Sequence, residues 1–232
     1  PIDLYVHPKT VVLDGATAGY MRDIEGLPTR DLSSDDVSFH AMREYVPGDD
    51  MRHIHWRSTA RTGTVMVRQF EETRRSHTVV ALTRNSGDYA TPDEFELAVS
   101  VAGSLGLQAL RDARNLTVLV QGSIVTAATS KQFLDTLSGL AHSRPRQGGV
   151  VELAAEVGRS AKTASVVALV CGSSVTAQQM RDASRHLPFE ARSIAVVCAP
   201  GTAPSLRVLG DMSVLTLGEL SDLRGALGRV LS

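Results

Sequence analysis

The residues best able to do chemistry lie in one stretch. From Arg43 to Glu71 the chain reads REYVPGDDMRHIHWRSTARTGTVMVRQFE, with five arginines, two adjacent aspartates, two histidines and the only tryptophan, Trp56. Asp49, Asp50, His53 and His55 are of metal-ligating type, and converging on one point they would support metal-dependent hydrolysis. Spacing argues against convergence, because two residues along a helix rotate a side chain by about 200°. Ion pairing fits the pattern better. Arg52, Arg57 and Arg61 share a short segment with the aspartates, and guanidinium forks held on carboxylates are rigid and directional. That set would fix a turn and clamp the strand beside it. Trp56 is expected as a buried anchor. A polyanion-binding role for Arg57, Arg61, Arg68, Arg74 and Arg75 is opposed by Asp49, Asp50, Glu71 and Glu72 among them.

Local elements must hold these groups in place. Val46-Pro47-Gly48-Asp49 suits a type II turn, with proline fixing φ and glycine supplying the positive φ that follows. Asp49 or Asp50 then caps a short helix predicted over His53 to Ala60, ended by Thr62-Gly63. Flanking strands are predicted at Val37–Tyr45 and Val65–Glu71, the latter alternating Val65, Val67 and Gln69 against Met66, Arg68 and Phe70. Leu4–His7 and Val11–Leu13 read as shorter strands, and the polar, Gly-rich chain from Asp14 to Asp36 as a mobile loop.

From His77 the rhythm changes to strand and helix in turn. Strands are predicted at His77–Thr83, Leu116–Gln121, Thr163–Gly172, Arg192–Ala199 and Ser213–Leu217, with Ile124–Ala127 as a hairpin extension of the second. Thr91-Pro92-Asp93-Glu94 supplies an N-cap, a proline at the first helical position and a glutamate to close a capping box. Thr129 with Gln132, Thr176 with Gln179 and Thr216 with Glu219 repeat the cap. The helix after Thr129 is expected to reach Ala141, a further short one covers Val151–Arg159, and His142–Gly149 is a loop. Continuous apolar strands between capped helices define an α/β domain over residues 77–232. It is a doubly wound, mainly parallel sheet, preceded by a small β-rich region over residues 1–76. Ligands in such sheets bind beyond the carboxyl ends of the strands. The loops to watch are therefore Thr83–Thr91, Gly122–Thr129, Gly172–Thr176 and Pro200–Ser205.

Composition sets the outer limits. The 232 residues are 43% hydrophobic and 4% aromatic with a net charge of −1, so the core is aliphatic and the footprint of a general nucleic-acid binder is missing. Cys171 and Cys198 each end an apolar run and read as reduced core residues. No apolar run is long enough to span a membrane, no signal peptide is present, and the start at Pro1 reads as that of a soluble fragment.

The run R-E-Y-x-x-G-D-D-x-R-x-I-x-W-x-x-x-A-R-x-G-x-x-x-V-R-x-F-E resembles the signature of the bacterial domain of unknown function 58 family. The residues carrying it include Arg43, Glu44, Tyr45, Gly48, Asp49, Asp50, Arg52, Trp56, Arg61 and Arg68. His55 departs from it, since the family usually shows aspartate there. The resemblance implies an amino-terminal transmembrane hairpin, then this β-rich region, then a von Willebrand factor A-like domain at the cytoplasmic face of the cell membrane. It also implies a protein partner, either a MoxR-type AAA+ ATPase or a transglutaminase-like membrane protein.

Domains of that type often hold a divalent cation through a D-x-S-x-S loop after the first strand. Here Thr83 replaces the leading aspartate, Asn85 and Gly87 stand at the serine positions, Asp88 falls one step beyond, and the second loop offers Ser173 without an acid. Hard-oxygen sites need such carboxylates to offset dehydration of the ion. The expectation is a degenerate loop without tight Mg²⁺ binding, no cofactor, no nucleic acid, and a non-catalytic interaction module.

Overall fold

Backbone pairing organises the signature region first. In the computed structural model, which describes residues 6–13, 37–72, 77–112, 115–121, 123–125, 129–141 and 148–229, residues 37–72 belong to one compact unit. Residues 6–13 with 77–229 belong to another. In the smaller unit β1 (Val37–Glu44) pairs antiparallel with β2 (Met66–Glu72), Arg43 opposite Val67 and Met42 opposite Arg68. Between them lie a 3₁₀ turn (Met51–His53) and α1 (Trp56–Thr62). The helix expected over His53–Ala60 is thus two pieces. Ile54 forms a bridge with Val67, and the His55 N–H donates to the Met66 carbonyl at 2.8 Å, which pulls the chain out of helical geometry between them.

The larger unit contains β3 (His77–Leu82), α2 (Pro92–Arg111), β4 (Asn115–Val120), β5 (Ser123–Val125), α3 (Ser130–Ser138), α4 (Val150–Ser160) and β6 (Val166–Gly172). After them come α5 (Ala177–Ser184), β7 (Arg192–Cys198), β8 (Ser205–Leu209), β9 (Met212–Leu217) and α6 (Asp222–Arg229). The strands form one sheet in the order β5-β4-β3-β6-β7-β9-β8, parallel throughout except at the edges β5 and β8. Chain progression runs outward from β3 toward β5, then resumes at β6 and runs the other way. The direction of winding therefore switches between β3 and β6.

Both faces of the sheet are covered, which is why its inner strands read as unbroken apolar runs. Val80 and Leu82 face one core with Phe95 of α2, Phe133 of α3 and Leu223 of α6. Val79 and Ala81, their alternates, face a second with Leu153 of α4 and Met180 of α5. β6 is buried along its whole length and sits in the middle of the sheet. Cys171 and Cys198 are free and buried.

Several expectations change. Val11–Leu13 is not a strand; Leu13 packs into the first core and the Val11 N–H donates to the Ser104 hydroxyl at 3.1 Å. β8 was not expected, and it forms a hairpin with β9 through Gly210 at φ 64°. α3 stops at Ser138 before Gly139, short of Ala141. Thr216 lies inside β9 rather than at a cap, and α6 begins at Asp222. Part of the strand expected at Leu4–His7, the loop from Asp14 to Asp36, Arg74, Arg75, the end of the hairpin strand at Ala127 and most of His142–Gly149 lie outside the described residues. Among the described residues no helix is long and apolar enough to cross a membrane.

Candidate functional site

The switch between β3 and β6 is where open α/β sheets take ligands, beyond the carboxyl ends of their strands. In this chain a buried polar cluster fills that position. Thr83 follows β3, is fully buried, and donates its hydroxyl to Asp88 Oδ2 at 2.5 Å. Asp88 is 3% exposed and also accepts from the backbone N–H of Val150, the first residue of α4. Burial pushes its carboxyl up from the ordinary range, and the bonds from Thr83 and Val150 act in the opposite direction. Placing a carboxylate at a helix N-terminus is favourable, so Asp88 supplies the anion that the start of α4 would otherwise attract.

Asn85 closes a local turn, its Oδ1 accepting the Gly87 N–H at 2.8 Å, and Gly87 lies at the surface. Sequence reasoning missed the partner that holds this loop from below. Gln121, just after β4, accepts the N–H groups of Arg84 and Asn85 at 2.9 and 3.0 Å and donates to the carbonyls of Gly148 and Gly149. Nothing in its neighbourhood marks Gln121, since its partners lie at least 27 residues away.

Glu94 takes a different part from the one expected. Thr91 does cap α2, accepting the Glu94 N–H at 3.4 Å, but the Glu94 carboxylate does not close the box on Thr91. It is 4% exposed and accepts from the Ala90 N–H at 2.8 Å, the Ser173 N–H at 3.0 Å and the Ser173 hydroxyl at 2.5 Å. Ser173, an expected metal-loop position, is thereby tied to α2. Gly172 permits the approach: a Cβ there would fall 2.5 Å from the Tyr89 ring and 2.6 Å from both the Asp88 carbonyl and Glu94 Oε2. The carboxylates of Asp88 and Glu94 are both engaged by protein donors. Among the described residues no group of three or more His, Cys, Asp or Glu side chains is arranged to hold a metal ion.

In the smaller unit the signature folds onto itself. The Asp49 N–H donates to the Val46 carbonyl at 3.0 Å across a turn in which Gly48 has φ 112°. Arg43 grips Asp49 with two bonds of 2.7 Å, and Asp49 also accepts the Val46 N–H. Arg52 donates Nε and a terminal nitrogen to Asp50, which caps the 3₁₀ turn by accepting the Arg52 N–H at 2.9 Å. His55 caps α1 through Nδ1, within 2.8 Å of the Ser58 hydroxyl and accepting the Ser58 N–H, while His53 sits exposed on the preceding turn. Glu44 ends β1, and the N–H of Tyr45, the next residue, donates to the Val65 carbonyl. Gly63, at φ 77°, ends α1. Arg61 is exposed near that end, and Arg68 lies in β2. Trp56 is the correction: it is 65% exposed, because α1 packs through Ser58 and Thr59 and leaves the indole on the outer side.

These clamps carry a pH signature. The Arg43 guanidinium holds Asp49 at about 2, with help from the Val46 N–H, and Arg52 holds Asp50 at about 2. Both folded values lie below the ordinary carboxylate range. Their contribution is therefore present above that range and lost as pH falls through about 2. Carbon-detected NMR titration should give both carboxyls midpoints near 2. In Arg43→Gln, Asp49 should rise toward the ordinary range, short of it while the Val46 N–H bond remains, and Asp50 should stay low. Ordinary midpoints for both in the unaltered chain would show that the pairs do not persist in solution.

Fold and site together define a class: a mixed α/β protein with a mostly parallel seven-stranded sheet flanked by helices and a small antiparallel sheet bearing an arginine–aspartate turn. Over residues 41–214, more than half of its length, the chain matches the family described as protein of unknown function DUF58, and it belongs to that family. No curated protein and no solved structure matches it.

Proposed function

We propose that this chain is a non-catalytic protein-recognition scaffold within a membrane-anchored protein. Its partner would be a MoxR-type AAA+ ATPase or a transglutaminase-like membrane protein at the cytoplasmic face. One observation carries the reading: the polar groups at the switch point are engaged with one another, whereas the smaller unit turns Trp56 outward. An enzyme of this architecture would keep reactive groups accessible in that crevice. The winding order, with reversal between β3 and β6 and an antiparallel β5 at one edge, supports the finer reading of the larger unit as von Willebrand factor A-like. On that reading Thr83, Asn85, Gly87 and Ser173 form a degenerate metal loop. Affinity purification of the full-length protein from its own cells tests the proposal, with the ATPase or the membrane protein expected among the retained proteins. Hydrolytic activity in the isolated chain, with neither partner retained, would overturn it.

A further inference from the structure

Arg43 and Arg52 are neutralised by Asp49 and Asp50. Arg57 and Arg61 meet no carboxylate among the described residues, and both are exposed. They are four residues apart on α1, so their side chains stand together on one side of the helix. Trp56 and Ala60 adjoin them. At about 100° per residue the four positions cover roughly 140° of the helix circumference. On the other side Ser58 and Thr59 are half-buried, with Ser58 on His55 and the Thr59 hydroxyl accepting the Met66 N–H at 2.9 Å. The outer face is thus one exposed indole beside two guanidiniums without counter-charge among the described residues.

We infer that this face of α1 docks an acidic segment of a protein partner, with carboxylates on Arg57 and Arg61 and an apolar side chain against Trp56. The inference rests on the protein-recognition reading above. Charge complementarity selects the occupant: fork-shaped guanidiniums pair bidentately with carboxylates, and tryptophan and arginine are the side chains that most often dominate protein interfaces. A lipid surface is less well matched, because Trp56 is the one large apolar side chain on the face. A single strand of nucleic acid would need further rings to stack successive bases, and α1 has none.

Selection of short random peptides on the full chain tests this, with the single tryptophan as an internal fluorescence reporter. The selected peptides should be enriched in Asp or Glu beside an apolar residue. They should shift Trp56 emission to shorter wavelength, and bind at least about tenfold more weakly to the double variant Arg57→Glu, Arg61→Glu. Thermal unfolding of that variant should match the unaltered chain. Peptides without acidic enrichment, or acidic peptides that bind the double variant equally well, would overturn the inference. So would tighter binding of phosphatidylglycerol vesicles or of a single-stranded oligonucleotide. If the double variant still retains the full-length protein's partners in cells, this docking face fails while the scaffold reading stands.

Discussion

Replacing Phe133 by alanine should lower the unfolding free energy of the larger unit by about 3–5 kcal/mol, the range for deleting a buried aromatic ring. Phe133 is fully buried on α3, and its ring lies where Gly106 leaves α2 without a side chain. A Cβ built on Gly106 would fall 2.4 Å from the ring. The ring thus fills a notch made by the absence of one methyl group. Gly106→Ala alone should therefore destabilise through overpacking, and in the Phe133→Ala background it should stabilise. There the new methyl enters a cavity, and alanine gains roughly 1 kcal/mol of helix propensity over glycine. Urea unfolding followed by circular dichroism reads the larger unit, since the only tryptophan belongs to the smaller one. Equal effects of Gly106→Ala in the two backgrounds would show that the ring and the glycine do not meet.

Gly172→Ala should cost about 3 kcal/mol, the upper end for forced overpacking. Its Cβ meets a ring, a backbone carbonyl and a carboxylate oxygen at once, and the carbonyl cannot rotate away. The loop after β3 would have to retreat from β6, breaking the bonds from Ser173 to Glu94. Amide exchange at Ser173 and Ala90 should accelerate in this variant beyond what the global loss explains. A loss below about 1 kcal/mol would mean that the loop yields freely, contrary to the overpacking expected at a close-packed position.

Much of the larger unit was legible because its signals are local. Thr91-Pro92 opens α2, Thr176 with Gln179 closes a full capping box on α5, and β6 is as apolar in sequence as it is buried in the fold. β8 was not legible: its five residues are half-exposed or exposed, so no apolar run announces it after the Pro/Gly loop. The α6 start was misplaced because a threonine–glutamate spacing occurs by chance at the end of a strand. The signature showed the Arg52–Asp50 pair, two residues apart, but Arg57 and Arg61, expected in the same set, meet no carboxylate among the described residues, and Asp49 pairs with Arg43 six residues before it. Glu94 with Ser173 was invisible for the opposite reason, the partners being 79 residues apart. Trp56 was misjudged because a lone tryptophan in a sparse aromatic composition reads as core, and nothing local tells which side of a seven-residue helix faces out.

The strap of residues 6–13 has a consequence for synthesis. Val11 bonds to Ser104, and His7 lies 2.6 Å from Asp135, partners made 93 and 128 residues later. At ribosomal speeds of roughly 5–20 residues per second, these early residues wait about 5–25 s for the helices they rest on. In that interval the whole of the smaller unit is made. The larger unit is thus closed by residues made long before their partners, and the signature has time to fold while its host is still unfinished.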